Sequence, residues 1–237
     1  MSPEVPDTDR GTLADQVFAR LQDEVVMGIF PPGSMMREEV LAARYGVSRG
    51  PVREAMRRLE GRRLLEKVPH VGTRVAALSI GDLEELYQVR GALEGMAARF
   101  AAERMTEEEI IGLHDLLDRH EQQEDLRENT AYFQREGDLD FHYRVIQGSH
   151  NRVLLGILAG ELYHLARMYR YQFSAVGNRP RKALEEHRRI VEAIEARDGE
   201  LAELLMQRHI SRAWENIRAQ VGAGRAGPQI VGGRITA

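Results

Sequence analysis

Tyr45-Gly46-Val47-Ser48-Arg49-Gly50-Pro51-Val52-Arg53-Glu54-Ala55-Met56-Arg57-Arg58-Leu59 decides the fold of the first third of the chain. Gly46 interrupts a helical pattern, and glycine accepts the positive φ that a tight turn between two helices needs. Ser48 stands where a helix N-cap belongs, and Pro51 is tolerated in a first turn, whose N–H groups have no intrahelical partner. Val52, Ala55, Met56 and Leu59 recur at helical spacing and form one apolar face. Arg49, Arg53 and Arg57 are spaced i, i+4, i+8 and share the opposite face. Upstream, Glu38 to Tyr45 reads as a shorter helix with Val40, Leu41 and Ala42 as its apolar residues. Two such helices make a helix-turn-helix, whose second helix enters the DNA major groove with its N-terminal residues at the base edges. Arginine there can bond guanine O6 and N7 in bidentate fashion or hold a phosphate, and the helix N-terminus itself attracts phosphate. A merely solvated arginine face is the other reading of these three residues, and the turn and hairpin beside them weigh against it.

Outward from this stretch, residues 12–29 carry Leu13, Val17, Leu21, Val25 and Val26 at helical spacing, and Pro31, Pro32 and Gly33 stop that helix. Leu64 to Val68 and Thr73 to Ala77 read as two strands around the turn Pro69-His70-Val71-Gly72. Net charge is −4 over 237 residues, which argues against nucleic acid until its distribution is counted. Residues 37–74 hold ten Lys/Arg against five Asp/Glu, whereas residues 75–237 hold twenty-one against twenty-six. A basic segment beside an acidic one is the asymmetry of a nucleic-acid binder.

Beyond Leu78 the pattern is helical throughout. Six helices are expected, at about 80–104, 106–126, 129–148, 151–174, 179–197 and 199–220, with Ser79, Thr106, Asn129, Asn151 and Asp198 as candidate caps. The chain is thus mainly α: a winged helix-turn-helix with a small β-hairpin over 12–78, then an all-α six-helix bundle over 79–221. Residues 1–11 and 222–237 read as flexible tails. The absence of cysteine excludes disulfides and thiolate chemistry. No apolar run approaches the roughly 18–20 residues needed to cross a bilayer, and Met1 to Arg10 lacks the apolar stretch of a signal peptide, so a cytoplasmic protein without a membrane partner is expected.

In the helical part, Asp138 and His142 lie inside an expected helix at i, i+4, a spacing that brings both side chains to the same spot. Such a pair can chelate a divalent ion, although a helical Asp–His pair is often only hydrogen-bonded. His187 and His209 fall on two further expected helices, and antiparallel helices can bring all of them to one level of a bundle. His70, His114, His120, His150 and His164 have no comparable support, and His114 and His120 are expected on a solvated face.

Residues 13–75, carried by Arg37-Glu38-Glu39-Val40-Leu41-Ala42, Gly46 to Glu60 and Gly72, resemble the winged helix-turn-helix of the GntR superfamily. The resemblance implies that Arg49 and Arg53 contact operator DNA and that the His70–Gly72 tip reaches toward the minor groove. The DNA-binding set is then Arg37, Glu38, Ser48, Arg49, Arg53, Arg57, His70 and Gly72. Gly50 stands where the family has Thr or Ser, which removes a hydroxyl. Arg63 stands where a glycine is usual, so that the exit turn is built differently or Gly61 serves instead.

Residues 80–221 look like the helical effector domain of the FadR branch. The matching pieces are Val89 to Glu94, Asp138 to His142, Ser149-His150-Asn151, Glu186-His187 with Ala193-Ile194, and His209. The resemblance implies a divalent metal held by Asp138, His142, His187 and His209, and six helices imply the VanR-like subgroup. Zinc is the first expectation, and nickel, manganese or iron also suit these ligands. Four protein ligands leave positions open on a six-coordinate ion, and a small carboxylate effector is expected to fill them and bridge the metal to a cation, Arg90 first and Arg167 second. A homodimer is expected because one recognition helix reads only a few base pairs. The function expected is a ligand-responsive transcription regulator, most often a repressor in this family. A metal-dependent hydrolase using the same Asp/His site is the alternative, though no separate residue is marked for its proton transfers.

Overall fold

The computed structural model describes residues 11–130, 132, 134, 140–159, 161–173 and 179–222, and the chain divides into two compact units, 1–77 and 78–237. Most of both expected tails, and Asp138, lie outside the described residues.

In the first unit, α1 (Leu13–Val26) begins at a capping box in which Thr12 and Asp15 satisfy each other's backbone N–H. α2 (Glu38–Tyr45) ends on Gly46, whose φ of 67° makes the turn, and α3 (Arg49–Gly61) follows. Ser48 occupies the N-cap position of α3, but its side chain makes no capping hydrogen bond. α3 buries Val52, Ala55, Met56 and Leu59, the face read from the sequence, and packs on α1. Fully buried Leu21 and Leu59 each contribute ~1.5–3 kcal/mol by burial. Two arginines on the α1 side of α3 reinforce this: Arg58 pairs with Asp15 at 2.7 Å and lies 3.9 Å over the Phe18 ring, and Arg62 donates to Gln22.

β2 (Leu65–Val68) and β3 (Gly72–Val75) form the expected hairpin, with Val68 opposite Gly72. A third strand, β1 (Met35–Met36), pairs antiparallel with β3, giving the sheet order β1-β3-β2. Arg63 itself takes the left-handed conformation, φ 55°, while Gly61 stays inside α3. The exit turn is therefore made by a left-handed arginine, and Gly61 does not substitute.

The second unit is all-helical among the described residues. Its elements are α4 (Ile80–Arg104), α5 (Glu107–Glu121), α6 (Glu124–Arg127), α7 (Phe141–Gly148), α8 (Arg152–Leu158), α9 (Glu161–Gln172), α10 (Arg179–Glu195) and α11 (Gly199–Gly222). Ser79 and Thr106 form capping boxes, and Asn151 caps α8. α4 and α11 pack along much of their length, and α10 packs on α11, α5 and α4. The apolar interior includes Leu83, Ala97, Leu113, Phe141, Val145, Ile190, Met206 and Ile210.

The expected helix 106–126 is divided into α5 and α6, and 151–174 into α8 and α9. The six expected helices thus become eight segments among the described residues, and the subgroup expectation loses the helix count it rested on. Within the expected helix 129–148, the helix among the described residues is α7, which starts at Phe141. Asp140 is extended (φ −108°, ψ 122°), and its carboxylate accepts the N–H groups of His142 and Tyr143. A cap at 140 ends the helical register, so the i, i+4 argument joining Asp138 to His142 does not apply. Asn129 has φ 59°, and its Oδ1 accepts the N–H of Arg181, so it caps α10 instead. No helix among the described residues is long and apolar enough to cross a membrane.

Candidate nucleic-acid interface and metal centre

Arg49, Arg53 and Arg57 are exposed on α3, on the side away from Phe18 and the apolar face. Glu38, at the start of α2, organises two of them. Its carboxylate takes Arg53 Nε at 3.0 Å and Nη2 at 2.9 Å, and Arg49 Nη2 at 3.3 Å. The hydrogen bond from Arg53 holds the Glu38 carboxyl below its ordinary range, against the opposing effect of desolvation. Arg49 also reaches Glu39 at 3.0 Å. Arg37, the N-cap residue of α2, and Ser48 are exposed as well. At the hairpin tip His70 has φ 62° and Gly72 φ 120°, where a side chain would be strained and would meet Met35 Cε at 3.1 Å. His70, Val71 and Gly72 are exposed. The structure thus presents an arginine face and a protruding hairpin, as a winged helix does.

Among the described residues of the second unit, His142 (α7), His187 (α10) and His209 (α11) converge. All three are buried, and one nitrogen of each lies within 4.8 Å of the others. Each ring is fixed from behind through Nδ1. Glu94 Oε2 lies 2.6 Å from His142 Nδ1, Glu186 Oε2 lies 2.6 Å from His209 Nδ1, and the Tyr132 hydroxyl lies 3.2 Å from His187 Nδ1. Phe141 stacks on His187, with centroids 4.0 Å apart. Nδ1–H donation to a carboxylate leaves the Nε2 lone pair as the inward group, the arrangement of metal-ligating histidines and the residues behind them.

The electrostatics fit a cation. Burial drives His209 down to about 3, and burial with the neighbouring His209 drives His187 well below its ordinary value, so the imidazoles are neutral. Burial alone would raise Glu94 and Glu186. Arg90 and His142 outweigh it at Glu94, and His209 and Arg179 do so at Glu186, which falls to about 2. His142 Nε2 is buried with no hydrogen-bond partner among the described residues, and His187 Nε2 faces His209 Nε2 at 3.2 Å. A divalent ion would satisfy this set of buried acceptors.

Arg90 adjoins the centre. Its Nε donates to Glu94 Oε1 at 2.7 Å, so Glu94 links it to His142, and its buried Nη1 has no hydrogen-bond partner among the described residues. Arg90, Glu94, His142 and Arg170 line one narrow cavity with Ile146, Leu158, Tyr163 and Ala166. Its open core of about 10 Å³ holds roughly one water. Arg167 does not line it; buried on α9, it donates from Nε to the Gln134 carbonyl at 3.1 Å. Arg170, three residues on, does line it and also pairs with Asp140. Arg170 and Tyr132 were missed in the sequence. His120 is a correction: it is buried, not solvated, with Nδ1 2.8 Å from the Tyr132 hydroxyl. His114 is half-exposed beside Glu195.

A winged helix bearing an arginine face, joined in one chain to a helical unit with a buried histidine centre, defines a DNA-binding regulator with an effector domain. The sequence pattern of bacterial regulatory proteins of the gntR family matches residues 13–75, and that of the FCD domain matches residues 85–212. The chain is 36% identical over 208 residues to a probable D-xylose utilization operon transcriptional repressor of Paenarthrobacter nicotinovorans, covering 85% of this chain and 87% of that one. It is 30% identical over 213 residues to the uncharacterized HTH-type transcriptional regulator YdhC of Bacillus subtilis (strain 168), covering 89% and 93%. E. coli McbR/YncC has a similar fold, with TM-score 0.66 and 21% identity over 89% of this chain and 99% of that one. The chain belongs to the GntR family of transcription regulators and carries an FCD effector domain. That membership sets aside the hydrolase reading.

Proposed function

We propose that the protein is a cytoplasmic repressor that binds operator DNA as a homodimer and is switched by a small carboxylate at a metal centre. The observation that carries the sensing half is the convergence of three neutral imidazoles beside the buried Nη1 of Arg90, which has no hydrogen-bond partner among the described residues. His142, His187 and His209 would hold a divalent ion, zinc first among zinc, nickel, manganese and iron, with Asp138 as the fourth ligand. The ion supplies a centre of positive charge that attracts an anionic oxygen. Arg90 orients the carboxylate through its spare N–H groups, and Glu94 ties that arginine to His142. The cavity is too tight for such a ligand as it stands, so binding must displace side chains on α4, α7 or α9. α9 bears both Arg170, which lines the cavity, and Tyr169, whose hydroxyl accepts the N–H of Leu78 at 2.6 Å. A shift of α9 therefore reaches the first residue after the DNA-binding unit.

In the first unit, Arg49, Arg53 and Arg57 would read bases or grip phosphates. Arg37, Ser48, His70 and Gly72 would flank them, and Glu38 would hold Arg49 and Arg53 in place. One such helix reads few base pairs, and a two-fold pair doubles the contact on a palindromic site. Val89 and Met96 on α4 and Val153 and Ile157 on α8 are exposed apolar side chains that a second copy would cover. The relative named for D-xylose utilization supports a role in controlling catabolic genes.

The test is a titration of operator-bound wild type and His187→Ala with a panel of small carboxylates. The proposal expects one acid to change wild-type DNA affinity by a factor of roughly 5–150, the range of ordinary coupling energies, and to leave the variant unmoved. An acid that acts equally on both, or a panel in which several acids bind without effect, overturns it.

A further inference from the structure

We propose that the outer groove between α10 and α11 binds a small phosphate-bearing anion, and that its occupancy tightens the metal centre beneath it. Arg179, Lys182, Glu186 and Arg189 recur on α10 at i, i+3, i+7 and i+10, and Leu205, Arg208 and Arg212 recur on α11 at i, i+3 and i+7. The two stripes line adjoining hollows of about 480 Å³ and 80 Å³ that share Glu186, Arg189 and Arg212. The larger is within the ordinary range of small-molecule sites, ~300–1,000 Å³.

Five cations meet there with two carboxylates, Glu185 and Glu186, in a part of the chain where acids outnumber bases. Lys182, Arg189 and Arg208 are exposed and make no ion pair or hydrogen bond with any described residue. Cations gathered without partners repel one another, and a dianion relieves that repulsion. Planar guanidinium groups match the oxygens of a phosphate in bidentate fashion, and the lysine adds a point charge.

Glu186 joins this groove to the metal centre. Its Oε2 accepts from His209 Nδ1 at 2.6 Å and from Arg179 at 2.7 Å, and its Oε1 accepts from Arg212 at 3.1 Å. An anion that draws Arg179 and Arg212 toward itself leaves Glu186 a stronger acceptor for the His209 N–H. That strengthens Nε2 as a ligand. By linkage, metal then tightens the anion by the same factor. This coupling rests on the metal reading; the anion site does not.

Calorimetric titration of the full chain, stripped of metal and held at constant ionic strength with chloride, tests the site with inorganic phosphate and glycerol phosphate. Saturable binding is expected, with a loss of at least about tenfold in Arg189→Gln/Arg208→Gln. Both side chains are exposed, so the variant should keep its circular dichroism melting curve, and Lys182→Gln provides a second, milder substitution. Tighter binding of the ester points to a phosphorylated metabolite as the natural source, and equal binding points to free phosphate. No saturable binding, or an unchanged constant in the double variant, overturns the proposal. So does a double variant that loses duplex DNA while keeping phosphate. For the coupling, zinc affinity measured by chelator competition should rise several-fold with glycerol phosphate. An unchanged affinity overturns the coupling alone, whereas failure to bind zinc at all sinks the coupling with the metal reading and leaves the anion result standing.

Discussion

The Nε2 atoms of His187 and His209 face each other at 3.2 Å while their Nδ1 atoms are engaged by Tyr132 and Glu186. If both Nδ1 atoms carry the proton, two lone pairs meet in a buried space, and burial disfavours protonating either ring. A metal ion between them would resolve the conflict. Tyr132 completes a chain from His187 to His120, with links of 3.2 and 2.8 Å.

Tyr132→Phe should therefore weaken metal affinity by ~10–100-fold, the usual cost of losing a group that orients a ligand. Chelator competition measures it. An affinity equal to wild type would make the tyrosine a bystander.

Arg49→Ala or Arg53→Ala should each cost ~1–3 kcal/mol of operator affinity per half-site if the side chain reads a base. If it holds phosphate, all sequences weaken alike and the salt dependence shrinks. Glu38→Gln keeps the hydrogen-bonding shape but removes a negative charge from beside both arginines. It should tighten binding to random duplex and narrow the preference for the operator. Fluorescence anisotropy with specific and random duplexes distinguishes these outcomes, and an unaltered double alanine variant would refute the role given to α3.

Arg63 holds φ 55°, a conformation that costs a side-chain-bearing residue ~1–2 kcal/mol and glycine little. Because glycine also loses more chain entropy on folding, Arg63→Gly should stabilise the winged unit by about 0.5–1 kcal/mol. Thermal melting would register this as a higher midpoint. A lower one would mean that the contacts of the arginine outweigh its strain.

Tyr169→Phe removes the acceptor for the Leu78 N–H without emptying the space around the ring. The variant should bind metal and carboxylate as wild type does, yet change its DNA affinity less when the acid is added. Full retention of the response would exclude this hydrogen bond as part of the switch.

The helix-turn-helix was legible because three signals agree on one stretch: Gly46 at the turn, the Val52-Ala55-Met56-Leu59 face and the arginines opposite. β1 was not legible, since the two residues Met35 and Met36 are too short to show alternation. Asp140 was read through as helix because apolar residues around it keep helical spacing, and a side chain choosing to cap leaves no mark in that pattern. The three histidines were readable through the family resemblance, and nothing in their separation along the chain predicts that they meet. Glu94 and Glu186 sit among many helical acids, and Arg170 lies one turn from Arg167, the second arginine expected at the site. Only tertiary packing tells these residues apart from their neighbours.

Metal content of the purified chain tests the account most directly. Elemental analysis should find about one divalent ion per wild-type chain and close to none in His187→Ala or His209→Ala, since each substitution removes an inward-facing imidazole. Apo protein should melt at a lower temperature and recover when metal is restored, because an ion that binds only the folded state adds stability. A wild type that carries no metal and takes none up on reconstitution would contradict the account.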